Sequence, residues 1–300
     1  MRPYFLGPTP GYREGVRLSI ESATFATGVA RTLFAALFGE LVLHPRPDPL
    51  AELSEDAYSL FHARSAAMGW LTPAVQGASG GLWGMNDADA GPGSGPQPQR
   101  VAWFQVVLTG PAGKLLPVQP FLVCAGDVVA RLGTLRLEAL QVLLPERDSP
   151  ADGLPASRSG IQVAWPLLNA LNWFADCDPR LRAPARVTLD GGPDPSIRAT
   201  APAIMQWVQE IRQDVFVCDS FSLDDDDHLI LRPIPFEEGR PSTAHHRVTF
   251  RGTLADWSLC ALGWLAAFLA DGSSRHGVST PLMLTADRST WPGSPAGSVP

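Results

Sequence analysis

The 300-residue sequence predicts an α+β protein of two units, each a mostly antiparallel sheet with its helices on one face. Three observations carry this expectation. Residues 247–285 place a strand, a helix and a returning strand in immediate succession. The stretch before them supplies a strand, a helix and further strands. One additional strand apart, residues 161–285 thus follow the β-α-β-β-α-β order of a ferredoxin-like sandwich. Residues 1–145 can be read in the same order with a helix and a flexible loop inserted, the pattern that a tandem duplication would leave.

In the first unit Val16, Leu18 and Ile20 alternate as in a half-buried strand. Phe25, Val29, Leu33, Ala36 and Leu37 then recur at helical spacing, predicting a helix over 24–39. A short strand over 41–44 is ended by Pro45 and Pro47. Ser54-Glu-Asp is a good N-terminal cap for a helix reaching residue 68. Residues 77–99, rich in Gly, Pro, Ser and Asp, read as the flexible loop. A strand over 101–109, a helix over 121–132 capped by Gly133, and a strand over 134–144 complete the unit.

A second Pro/Ser/Gly-rich break covers 146–160. Trp165-Pro166 opens a helix carrying Leu167, Leu168, Leu171 and Phe174, with the proline in its tolerated first turn. Next come a strand (186–190), a helix (200–213, with Pro202 in its first turn) and strands over 215–221, 228–234 and 247–251. Thr253 and Asp256 have the spacing of a capping box. Leu254, Trp257, Ala261, Trp264, Leu265 and Phe268 follow at helical spacing, and Gly272 marks the expected end. Residues 278–285 return as a strand, leaving 286–300 as a disordered tail.

Composition narrows the function classes. A net charge of −7, with Lys114 the single lysine, argues against nucleic acid, which needs a basic stripe. Cys124, Cys177, Cys218 and Cys260 show no C-x-x-C pair and are expected as reduced thiols in a cytoplasmic protein. The N-terminal residues lack an apolar signal core, and no apolar window is long enough to span a bilayer, so no membrane is expected.

Gly77-Ala78-Ser79-Gly80-Gly81 matches the G-x-S-x-G pattern of hydrolase nucleophile elbows, which needs a strand before it and a helix after it. The flanks offer neither, and Ser79 stands only as an alternative nucleophile. The segment 109–114 falls short of a phosphate loop, because Leu108 and Leu115 occupy the required Gly and Ser/Thr positions. Asp224, Asp225, Asp226 and Asp227, followed by His228, form the densest charge cluster. A Ca²⁺ loop spaces its acids alternately around a glycine, so a solvated turn without a metal is expected. Glu237 and Glu238 would extend its negative patch.

His245 and His246 are consecutive on an expected strand and so face opposite ways. His246 goes inward with Val248 and Phe250; His245 joins an exposed row with Arg247, Thr249 and Arg251. Cys218 and Asp219 close a strand beside the acidic loop, where a thiol could pair with His228 or His245. Trp165, Trp173, Trp207, Trp257 and Trp264 lie on expected helices at core spacing, whereas Trp83 and Trp291 sit in Gly/Pro-rich segments and read as interface anchors, with folding back onto its own unit the alternative for Trp83.

The expected function is therefore a non-catalytic protein-binding module of adaptor, inhibitor or immunity type. Its partner would be another protein with a basic surface, met through the acidic loop and exposed aromatics, with no cofactor. The alternative is a hydrolase or transferase with its site at Cys218, Asp219, His228 and His245, or at Ser79. An enzyme should gather such groups in a concave pocket.

Overall fold

The computed structural model describes residues 31–45, 56–73, 80–92, 98–110, 114–147, 165–211, 213–223 and 245–288. They form one eight-stranded antiparallel sheet and five α-helices. In chain order these are β1 (Thr32–Leu43), α1 (Ala57–Ala67), β2 (Trp83–Ala90), β3 (Gln99–Leu108), α2 (Val118–Leu132), β4 (Gly133–Leu144) and α3 (Trp165–Ala175). Then follow β5 (Ala183–Asp190), α4 (Ser196–Glu210), β6 (Phe216–Ser222), β7 (Arg247–Leu254), α5 (Leu259–Arg275) and β8 (Leu282–Asp287). The sheet order is β2-β3-β1-β4-β8-β5-β7-β6, and all the described residues fall in one compact unit. Every helix contributes to the apolar cluster that covers one sheet face, so the helices share that side.

The strands explain where the sequence misled. Residues 32–39 are strand, not helix. Leu33, Ala35 and Leu37 face the helices, while Phe34, Ala36 and Phe38 pack in a second cluster on the other face. A strand buried on both faces reads as an unbroken apolar run, and such a run also satisfies a helical spacing. The expected loop over 77–99 contains β2, whose polar Asn86, Asp87 and Asp89 suit an outermost strand. The Thr253–Asp256 box does not form: β7 runs to Leu254, which pairs with both Ala183 and Phe216. Instead Ser258 caps α5, its hydroxyl accepting from the Ala261 amide at 3.1 Å. Helix α4 starts at Ser196, which leaves Pro202 inside the helix. The strands expected over 16–20 and 228–234 lie outside the described residues.

The register reveals an internal two-fold relation. Strands β1–β4 are ordered 2-3-1-4, and β5–β8 repeat this as 6-7-5-8, the two halves meeting along β4 and β8. Along that seam Gln141 faces Thr285, flanked by the pairs Ala139–Asp287 and Leu143–Met283. Gln141 opposes Ala36, which opposes Trp103; Thr285 opposes Thr188, which opposes Thr249. Each half also places one bulge on its outermost strand, between Met85 and Asp87 in β2 and between Cys218 and Ser220 in β6.

Over the seam α2 and α5 make the most extensive helix–helix contact. They approach so closely that a Cβ on Gly263 would stand 2.7 Å from the Gln119 Cα, which only glycine avoids. Gly272, expected as a stop, lies inside α5 because a Cβ there would be 2.6 Å from the Trp207 ring. Trp207, Phe268 and Trp264 stack in series, with centroids 4.4 and 4.6 Å apart. The Trp264 indole N–H donates to the Leu167 carbonyl at 3.0 Å, tying α3 to α5.

Trp264→Ala should therefore cost about 3–5 kcal/mol, through the lost stack, the emptied space and the lost indole hydrogen bond. Ser258→Ala should cost about 1 kcal/mol, and Thr253→Ala should stay within about 0.5 kcal/mol. Denaturant midpoints check all three; a larger loss for Thr253→Ala than for Ser258→Ala would contradict the observed cap.

Candidate functional site

The bulge in β6 turns Cys218 and Asp219 apart. Cys218 is 7% exposed and belongs to the helix-side core, its Sγ 3.2 Å from the Met205 Sδ. Burial, with the Asp219 charge beside it, pushes the thiol up to about 12. Asp219 is the extra residue of the bulge and is exposed at the margin of the described sheet. His245 lies elsewhere: its Nδ1 is 2.9 Å from the Asp190 Oδ2, which also accepts from the Arg247 Nε at 2.8 Å. Cys218 pairs with Gly252, and the seven residues back to His245 correspond to about 23 Å of strand. The thiol points to the helices, whereas His245 joins the row on the other face. The structure does not bring these groups together. Ser79, His228, Asp224 to Asp227, Glu237, Glu238 and Trp291 lie outside the described residues.

Trp83 needs a correction. It is fully buried at the start of β2, against Trp70, Phe61 and Phe121, and its indole N–H donates to the Ser65 hydroxyl at 3.2 Å. Its glycine-rich flank suggested exposure, but the indole enters the core from the strand that flank conceals. Among the described aromatics the most exposed is Trp173, 73% exposed on α3, with Tyr58 on α1 at 38%. Its helical spacing pointed to the core, but Leu167 and Phe174 already fill the buried side of that helix.

The sheet face away from the helices is the feature that alternation alone only partly disclosed. In the second half it carries a ladder of polar pairs: Arg186 with Asp287 at 2.9 Å, Asp190 with Arg247, and the Thr188 and Thr249 hydroxyls 2.9 Å apart. Arg251 donates to the Ser222 hydroxyl at 3.0 Å. Of the row expected to be exposed, His245 is exposed and Arg247 and Arg251 are half-buried, while Thr249 is buried at 7%, as is neighbouring Asp287 at 6%. Burial raises the Asp287 carboxyl above its ordinary value, and the Arg186 and Arg251 guanidinia oppose that rise. In the first half this face is mostly apolar, with Phe34, Ala36, Phe38, Trp103 and Leu143 beside the polar Gln105 and Gln141. Two halves with one topology therefore present different chemistry on this face.

Among the described residues no group of three or more His, Cys, Asp or Glu side chains is placed to hold a metal ion. No described helix is long and apolar enough to cross a membrane. No protein-family model, curated protein or solved structure matches the chain.

The four cysteines are free and differ in reactivity by environment. Burial pushes Cys124 up to about 11 and Cys218 to about 12, so at pH 8 only about one Cys218 in ten thousand is thiolate. Alkylation of the native protein at pH 8, followed by peptide mapping, should mark the more exposed Cys177 first and Cys218 last. Cys218 labelling should climb about tenfold per pH unit, since the reactive form appears only as pH rises. Rapid labelling of Cys218 at pH 7 would point to an activated thiol.

Proposed function

We propose that the protein is a non-catalytic protein-binding module, built of two ferredoxin-like units in tandem and working in the cytoplasm as an adaptor, inhibitor or immunity-type protein. The tandem reading is supported by the strand order shared by the two halves and by their two-fold register at β4 and β8. Free cysteines suit a reducing compartment.

The observation that carries the binding role is Trp173. An indole can bury 150–250 Å² when a partner covers it, and an exposed one is the commonest kind of interface anchor. Its neighbours on the outer side of α3, Pro166, Asn169 and Asn172, carry no charge and are exposed. Leu181, in the turn Pro179–Leu181, adds a second apolar side chain at 57% exposure. Charged Asp176, Arg180 and Arg182 follow nearby in the chain and are exposed. An uncharged centre with a charged margin is the composition of a protein interface. Asp224 to Asp227, with Glu237 and Glu238, favour a partner of basic surface through steering at a distance. No observation favours the enzymatic alternative: Cys218 is a buried thiol far from His245, and Ser79 and His228 lie outside the described residues.

Affinity capture from the native host, with bound proteins identified by mass spectrometry, tests the reading. Trp173→Ala should weaken binding of the captured partner by about 2 kcal/mol or more, near thirtyfold, while the melting transition barely moves. Captured proteins indifferent to Trp173→Ala would remove α3 from the interface. In binding kinetics, replacing Asp224, Asp225, Asp226 and Asp227 by asparagine should slow association and flatten its salt dependence, leaving dissociation almost unchanged. Equal association rates at low salt would dismiss the acidic loop as a steering element.

A further inference from the structure

Helix α3 has no charged residue among its eleven, in a chain of net charge −7, and its outer side is open: Asn169, Asn172 and Trp173 are all exposed. Two exposed charges of opposite sign stand past its C-terminal end. Asp176 lies three residues on from Trp173, and Arg182 is next to exposed Leu181. The chain turns tightly between them, the Cys177 amide donating to the Phe174 carbonyl at 3.2 Å and the Arg182 amide to the Pro179 carbonyl at 3.3 Å. Burial and the Asp256 and Asp176 charges raise the Cys177 thiol above its ordinary value and Arg182 opposes them, so Asp176 and Arg182 flank one place. Asp178 and Arg180 pair with each other at 2.9 Å. Asp176 and Arg182 pair with no charge of their own chain among the described residues.

We propose that the outer side of α3 is the contact through which two copies of this chain form a two-fold dimer, with Trp173 at its centre and Asp176 paired with Arg182 of the partner subunit; this rests on α3 being an interface and names what covers it. About a two-fold axis residue i meets j and j meets i, so the margin of such a contact must carry both signs. One unpaired acid and one unpaired base beside an uncharged centre meet that condition. A chain of net charge −7 repels its own copy over most of its surface, which confines self-association to a neutral patch such as this helix. Each dimer carries the segment Asp224 to Asp227 twice, so losing the contact also weakens capture of a basic third protein through avidity.

Sedimentation of the full chain over a concentration series should show a species of twice the chain mass. Trp173→Ala should raise the dimer dissociation constant about thirtyfold or more. Asp176→Arg and Arg182→Asp should each leave the chain monomeric, because like charges then face each other across the axis. Mixed together, these two variants should form a mixed dimer, since each supplies the sign the other lacks. All three substitutions fall on exposed positions, and unchanged melting transitions confirm that folding is not what they alter. A chain that is monomeric at every concentration overturns the dimer, as does a dimer indifferent to Trp173→Ala or a mixture of the charge variants that stays monomeric. If the unaltered chain is monomeric and Trp173→Ala still releases a captured protein, α3 meets that protein directly and the second copy alone is refuted.

Discussion

Everything in this fold depends on the pairing of β4 with β8. A sheet of four strands exposes two rows of unpaired amides and carbonyls, and each half here would carry such a row on the strand that closes it. Joining those two strands hides both rows and makes one sheet of two halves. The helices then have no freedom: α2 and α5, each crossing over the strand that follows it, are driven into contact above the seam, and Gly263 is the concession to their distance. The seam is also laced by direct bonds between halves. The Trp257 indole N–H donates to the Leu137 carbonyl at 2.9 Å, the Arg288 amide to the Glu138 carbonyl at 3.3 Å, and Arg147 meets Asp271.

A seam between two similar strands invites slippage, and the side chains on the face away from the helices oppose it. Moving β8 by one residue would send Asp287 and Thr285 toward the helices and Leu284 away from them. A carboxylate among the leucines of the core would cost several kcal/mol, far more than a shifted ladder of backbone bonds. The pair Arg186–Asp287 adds little net stability at this depth, since desolvation offsets most of the attraction. Its contribution lies in specifying register. The first half reaches the same end with aromatic bulk, Phe34 stacking on Trp103 at 5.9 Å. The chemical difference between the halves thus lies mainly on one face, while the helix-side residues stay apolar in both.

How much of this the sequence discloses depends on whether one periodicity dominates locally. Helices α1 and α2 have a buried side set by their own spacing, α5 is a long apolar run buried from Ala261 to Ser274, and the existence of all three is legible even where their ends are not. Strand β1 is apolar on both faces, so periods of 2 and 3.6 fit it equally. Strand β2 is disguised by Asn86, Asp87 and Asp89 and interrupted by a bulge, both devices of an outermost strand. At Thr253 a strong local signal loses to tertiary pairing: a strand bonded on both sides through Leu254 outweighs a cap worth about 1 kcal/mol. Trp83 and Trp173 exchanged their expected roles for one reason. Exposure is decided by what packs across the chain, and neither neighbouring glycines nor helical spacing reports that.

The outermost described strands also constrain how a partner can bind. Addition of a strand needs a regular row of free backbone groups. In β2 the bulge falls after Met85, with exposed Asn86, Asp87 and Asp89; in β6 it falls after Cys218, with exposed Asp219 and Ser220. A bulge shifts the bonding row by one residue, and the adjacent carboxylates repel an incoming carbonyl edge, so augmentation on these strands is disfavoured at both margins. The binding role proposed for this protein would then fall to side chains such as Trp173 on α3. There the buried half of α3 is held by the Trp264–Leu167 bond and by Phe174, which fixes the backbone that carries Trp173. An indole presented on a rigid helix loses little conformational entropy on binding, and this separates an anchor from an aromatic that is merely exposed.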